Sequence, residues 1–225
     1  MTLIHKTACL LQSSLAGETQ GGYPLPAFDP KKMYMTTGLI VVNVLYFLFL
    51  SVQGNPSYDM ELMLRYGAVY TPYVTEGHEY YRLLTACFMH FSIAHLVNNM
   101  IVLLAVGNVL ERNIGHWRFL VVYLLAGVLA NAFSCYYHLE LQDISISAGA
   151  SGAVFGLVGA LLFAVLRSRG RLMGLSLRGM VIFAGLSIYL SAVSGGVDNA
   201  AHISGLVFGF LLCALLYHPK YDFNK

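Results

Sequence analysis

Residues 149–166 read GASGAVFGLVGALLFAVL, a run without a charged side chain and with small residues crowded into its first half. A helix needs about 20 apolar residues to cross the hydrocarbon core of a bilayer, and this stretch comes close to that length. Gly152, Gly156 and Gly159 recur at helical spacing beside Ser151. Small residues on one face let two helices approach closely in lipid, where no hydrophobic force drives them together. Working outward, five more apolar stretches of similar length appear, at 35–52, 90–110, 117–137, 177–194 and 199–217. With 150–166 as the fourth, the expectation is an all-α membrane protein built as a bundle of six transmembrane helices.

Composition supports that class. Of 225 residues, 57% are hydrophobic and 11% are charged, whereas a soluble domain carries about 25% charged residues. So few charges cannot cover a water-facing surface, and the partner of most of this surface is the lipid bilayer. The net charge is +2 with dispersed basic residues, so no nucleic-acid partner is expected. Cys9, Cys87, Cys135 and Cys213 form no CxxC pair. They indicate neither a disulfide framework nor a zinc site, and no cofactor or metal is implied.

The organisation expected is a mostly polar tail over 1–35, a six-helix domain over 36–217 and a short tail over 218–225. Residues 1–15 are interrupted by His5 and Lys6, so a signal peptide is not expected. With the N-terminus inside, Arg65 and Arg82 alone fall in outer segments, and the other eleven of the thirteen Lys and Arg fall in inner ones. The positive-inside rule then favours an N-in, C-in arrangement. The loop 53–84 is the longest outer element. Its tyrosines, including Tyr58, Tyr66, Tyr73 and Tyr81, suit the membrane–water boundary, where ring and hydroxyl are both satisfied.

Polar groups inside lipid are costly unless paired, so those that remain are functional candidates. Three clusters stand out, each at the outer end of a span in this arrangement. His90, His95, Asn98 and Asn99 lie near the start of the second span, with His95 and Asn99 on one helical face. Two histidines can also bind metal, but no HExxH motif or accompanying carboxylate is present. Gly149-Ala150-Ser151-Gly152 opens the fourth span, where free backbone N–H groups and the helix dipole suit an oxyanion. Asn199-Ala200-Ala201-His202 opens the sixth, with Gly205 and Gly209 on the histidine's own face. The competing readings are packing surface for the glycine run and interfacial polar residues for the histidines. Together the clusters hold a hydroxyl, an imidazole and separate oxyanion donors, the parts acyl transfer requires. Asp198 is read as a loop residue or helix cap in preference to a third triad member.

The ordered set Tyr81-Arg82, His90-x4-His95-x3-Asn99, Gly149-x-Ser151-Gly152 and Ala201-His202-x2-Gly205 resembles the rhomboid intramembrane proteases, over about residues 35–217. The resemblance implies a six-helix rhomboid-like bundle of the minimal bacterial type, in a bacterial plasma membrane. It implies peptide-bond hydrolysis by a Ser–His dyad, with transmembrane proteins as substrates. Ser151 matches the nucleophile and His202 the general base. His95, Asn99 and the Ser151 backbone N–H match the oxyanion hole, and His90, Gly149, Gly152, Gly205 and Asn199 match supporting positions. Arg82 matches the arginine of the outer-loop motif, with Tyr81 in place of the usual tryptophan. Glu111 resembles a structural acidic residue. Phe155 stands where relatives often carry tyrosine, keeping a ring against the histidine without the hydroxyl.

The expected function is therefore that of a serine endopeptidase cleaving single-pass proteins in or near their membrane segment. The linker 194–198, with Gly195 and Gly196, is expected as a mobile cap. The alternative is a catalytically silent rhomboid-like protein that binds transmembrane clients. A proton-relay transporter would need charges near midspan and inverted repeats, and the sequence has neither.

Overall fold

The computed structural model describes residues 26, 28–142, 145–194 and 197–218. Residues 1–25 and 27 of the tail expected over 1–35, most of the C-terminal tail, and Gly195 and Gly196 of the expected cap lie outside these residues. Among them the chain is predominantly helical: α1 (Tyr34–Gln53), the short α2 (Met60–Arg65), α3 (Thr71–Thr75) and α4 (Arg82–Thr85), then α5 (Ile93–Ile114), α6 (His116–Glu140), α7 (Ser151–Arg167), α8 (Leu177–Ser194) and α9 (Asn199–Leu216). Four of them, α1, α5, α6 and α9, are long and apolar enough to cross a membrane, and α7 and α8 are shorter apolar helices. Their outward faces carry large apolar side chains, such as Leu45 and Leu48 on α1, Leu125 and Leu129 on α6, and Leu211 and Leu215 on α9. A surface this apolar is stable against lipid and not against water.

The centre of the bundle is α7. It packs against α9, α6 and α5, and its contact with α9 is the most extensive in the molecule. Glycine makes that contact possible. A Cβ on Gly205 or Gly209 of α9 would collide with the carbonyl oxygen of Gly152 or Gly156 on α7, and one on Gly159 would collide with Leu206. The two backbones therefore touch directly, and each step along the interface has a glycine on one side or the other.

The second span differs from the sequence expectation at both ends. It begins at Ile93, because the Ser92 hydroxyl caps it by accepting from His95 N at 3.2 Å, so His90 precedes the helix. It continues past position 110 to Ile114 because Glu111 is fully buried and does not end the span. Its carboxylate accepts from Met35 N (3.0 Å), Thr36 N (2.8 Å) and Thr36 Oγ1 (2.5 Å), and pairs with His116 Nδ1 (2.6 Å). A carboxylate at the start of α1 satisfies amides with no intrahelical partner and faces the positive end of the dipole. Ahead of α1, Asp29 caps a single 3-10 turn over Pro30–Lys32, and Met33 is fully buried.

The outer loop is ordered around Arg82, whose side chain is buried. Its guanidinium donates to Leu64 O (2.6 Å), Ala68 O (3.0 Å) and Glu79 Oε2 (2.6 Å), and stacks over the Tyr73 ring at 4.9 Å. The Tyr81 hydroxyl donates to the same Glu79 oxygen. That bond, followed by the Arg82 bond, holds the Glu79 carboxyl below the usual carboxylate range. The loop is also tied to the chain entering α7. Val69–Tyr70 (β1) pairs antiparallel with Ile146–Ser147 (β2), Val69 opposite Ser147, and Gly149 N donates to Ala86 O at 3.0 Å. A second two-stranded ribbon, Arg171–Leu172 with Leu175–Ser176, connects α7 to α8.

Two glycine substitutions separate backbone contact from helix propensity. Gly209→Ala is expected to lower stability by about 1–3 kcal/mol through overpacking. Gly185→Ala on α8, where an added Cβ meets nothing within 4 Å, is expected to gain up to about 1 kcal/mol from the better helix former. Thermal unfolding in detergent measures both.

Candidate active site

Ser151 is the first residue of α7, and the residue before it, Ala150, offers no side-chain cap. The N–H groups of the first turn are therefore left to other partners. The approach to Ser151 runs through Gly149, whose φ of +154° belongs to the region L side chains rarely adopt. A Cβ there would stand 2.8 Å from His95 Cε1, 3.0 Å from His95 Nε2 and 3.4 Å from Ser151 Oγ. Gly149 thus lies between the serine and the first histidine of α5, and its missing side chain leaves the space they share. His95 stacks edge-on to His90, with centroids 5.0 Å apart, and one Asn99 amide proton is donated to His90 Nε2 at 3.1 Å. A carboxamide has two N–H donors, so the second remains for another acceptor.

His202 sits in the first turn of α9 and is buried. Its ring lies flat on Phe155 of α7, centroids 4.4 Å apart and planes at 18°. Phe155 is one turn beyond Ser151, and Gly152, next to the serine, lies against Ala201, next to the histidine. The close contact of α7 and α9 therefore places the serine and imidazole at the same end of the two helices. Among the described residues Nε2 of His202 is buried and has no hydrogen-bond partner, so it forms no hydrogen bond to Ser151. The other nitrogen, Nδ1, is 2.9 Å from the Ser191 hydroxyl of α8, and Ser191 donates to Asn199 Oδ1 at 2.8 Å.

Asp198 serves elsewhere. One of its oxygens caps α9 by accepting from Ala201 N at 2.9 Å; the other accepts from Ser134 Oγ (2.5 Å) and Ser147 Oγ (2.9 Å). His138 Nε2 stands 3.7 Å from the capping oxygen. The carboxylate thus joins α6, β2 and the start of α9 at one point. Arg82 is joined to the site only through the loop, since its bonds go to Leu64, Ala68 and Glu79. Asn98, on the same turn as Asn99, is half-buried.

Ser191 and the polar partners of Asp198 were not among the residues singled out in the sequence. For Ser191 the available signal is a hydroxyl in an apolar helix, in the turn that faces the start of α9. Among the described residues no group of three or more His, Cys, Asp or Glu could hold a metal ion.

A family model described as the Rhomboid domain matches residues 77–219. The chain is 33% identical over 206 residues to Rhomboid protease GluP of Bacillus subtilis (strain 168), covering 92% of this chain and 39% of that protein. It is 34% identical over 187 residues to RHOMBOID-like protein 7 of Arabidopsis thaliana, covering 80% of this chain and 57% of that protein. The Bacillus subtilis protein YdcA is 32% identical over 187 residues, covering 83% of this chain and 90% of that one. The chain thus spans less than two thirds of the first two relatives and most of the third.

The Asp198 junction gives a stability test. Asp198→Ala removes a cap and strands two hydroxyls, and is expected to cost about 2 kcal/mol. Asp198→Asn still caps the helix and is expected to cost less. The two melting temperatures in detergent, compared with wild type, measure the difference.

Proposed function

Because the chain belongs to the rhomboid family and is an integral membrane protein, we propose that it is an intramembrane serine endopeptidase acting through Ser151 and His202. The observation that carries this reading is a buried imidazole nitrogen without a partner, on a helix whose backbone touches the helix that Ser151 begins. The relative named Rhomboid protease GluP supports the same chemistry.

In this mechanism α1, α5, α6, α7, α8 and α9 all cross a bacterial plasma membrane, with both chain ends inside, following the distribution of Lys and Arg. The domain over 36–217 carries the site near the outer face, and the loop 53–84 lies along that face. A single-pass substrate presents a locally unwound segment, since a hydrogen-bonded helix hides its carbonyls. Gly, Pro or small polar residues near the cut favour that unwinding.

The Ser151 hydroxyl oxygen attacks the scissile carbonyl carbon while its proton passes to His202 Nε2. The resulting oxyanion is held by the Ser151 backbone N–H, His95 and the Asn99 N–H not committed to His90. On collapse the C–N bond breaks, and the departing amine takes the proton from His202. Water then attacks the acyl ester and gives a proton to His202, which passes it to Ser151 Oγ as the ester C–O bond breaks, releasing the carboxylic acid and the free hydroxyl. Phe155 fixes the plane of the imidazole. Gly149, Gly152 and Gly205 keep the reacting groups within reach, and Arg82 holds the outer loop beside them.

The test is cleavage of a single-pass protein in proteoliposomes. Ser151→Ala and His202→Ala are each expected to reduce turnover by about 10³-fold or more, the scale of losing a nucleophile or base. Ser151→Ala with wild-type turnover refutes the reading. A client-binding protein without protease activity would hold the substrate and release no fragment from any form.

A further inference from the structure

Ser191 stands on α8, a helix that contributes nothing else to the proposed dyad, and meets the imidazole through Nδ1 at 2.9 Å. Asn199, which follows the α9 cap, supplies Oδ1 at 2.8 Å from the same hydroxyl. We propose that Ser191, with Asn199 as acceptor of its proton, is a positioning residue that holds His202 in the Nδ1-protonated tautomer, leaving Nε2 as the base. The inference rests on the Ser151–His202 reading and extends it.

The argument follows from counting protons. A carboxamide oxygen carries none, so the Ser191–Asn199 bond must use the single hydroxyl proton of Ser191. Ser191 Oγ then has only lone pairs to offer to Nδ1. A neutral imidazole has one N–H, and in this chain of bonds it must be on Nδ1. Nε2 is left with its lone pair, and it is the nitrogen that is buried without a partner. If the Asn199 amide were turned over, its NH₂ would donate to Ser191, the serine proton would turn to Nδ1, and Nε2 would carry the hydrogen. A base cannot accept a proton at a nitrogen that already holds one, so the orientation of one amide selects between a competent and an incompetent site. The task is the one the carboxylate performs in Ser–His–Asp triads. Here a hydroxyl and a carboxamide perform it, and Asp198 is committed to Ala201, Ser134 and Ser147. The relay also bridges two helices, since Ser191 belongs to α8 and its two partners to α9.

The test combines nitrogen-15 NMR of histidine-labelled protein in micelles with steady-state cleavage. In the unmodified chain, the His202 signal, identified by its loss in His202→Gln, is expected to show a protonated Nδ1 and an unprotonated Nε2. Ser191→Ala is expected to lower kcat by about tenfold with KM changed by less than about twofold, since it removes the hydrogen bond that orients the ring. Ser191→Thr, which keeps the hydroxyl, is expected to recover most of that loss. A wild-type His202 protonated at Nε2 overturns the proposal, and that measurement needs no variant to fold. Wild-type kcat in Ser191→Ala also overturns it, as does a loss that threonine fails to recover. If Ser151→Ala and His202→Ala are inactive while Ser191→Ala turns over at the wild-type rate, this inference fails and the dyad stands. If all of them cleave as wild type does, the dyad itself fails.

Discussion

The fold turns on the direct contact of two helix backbones. Gly205 and Gly209 of α9 meet the Gly152 and Gly156 carbonyls of α7 with no room for a Cβ, and Gly159 meets the Leu206 carbonyl. In lipid this contact is held by dispersion over a close surface rather than by expulsion of water. It is therefore strict about size, and one added methyl changes the separation of the helices. Ser151 and His202 are short side chains beside the first of these contacts, so the distance between them is set by the distance between the backbones. Phe155, stacked on His202 from the same helix as Ser151, adds a second constraint that fixes the tilt of the ring.

Around that contact the polar groups are arranged in closed sets, as low dielectric demands. Glu111 satisfies the first amides of α1 and the His116 ring at one end of α5. Asp198 gathers a backbone amide, two serines and a histidine at the start of α9. Arg82 holds the outer loop through two carbonyls and a carboxylate, and β1 joins that loop to the strand leading into α7. Among the described residues, His202 Nε2 and His90 Nδ1 are buried nitrogens of the site without a hydrogen-bond partner.

Much of this is legible in the sequence because it depends on periodicity. Apolar length gives the helices, and the glycine spacing on 149–166 and 199–209 shows which faces meet. The first-turn position of Ser151 follows from where the apolar run begins. What the sequence hides are partners fixed only by tertiary approach. Ser134 and Ser147 reach Asp198 from 64 and 51 positions away, and nothing local marks either of them. Ser191 looks like any hydroxyl in an apolar helix until the start of α9 is placed beside it. Glu111 and His90 mislead at the ends of α5 for a related reason. A charge reads as the end of a span unless a neighbouring helix needs it, and a histidine reads as helical until Ser92 is seen to cap the first turn.

The claim that matters most is that the α7–α9 contact puts a reactive hydroxyl beside an imidazole base. Peptide mass mapping after treatment with a fluorophosphonate probe tests it directly. The adduct is expected on Ser151 in the wild-type protein, and its rate of formation is expected to fall sharply in Gly205→Leu, which wedges the two helices apart while leaving both side chains present. An unmodified Ser151, or labelling as fast in the wedged variant as in wild type, would contradict the account.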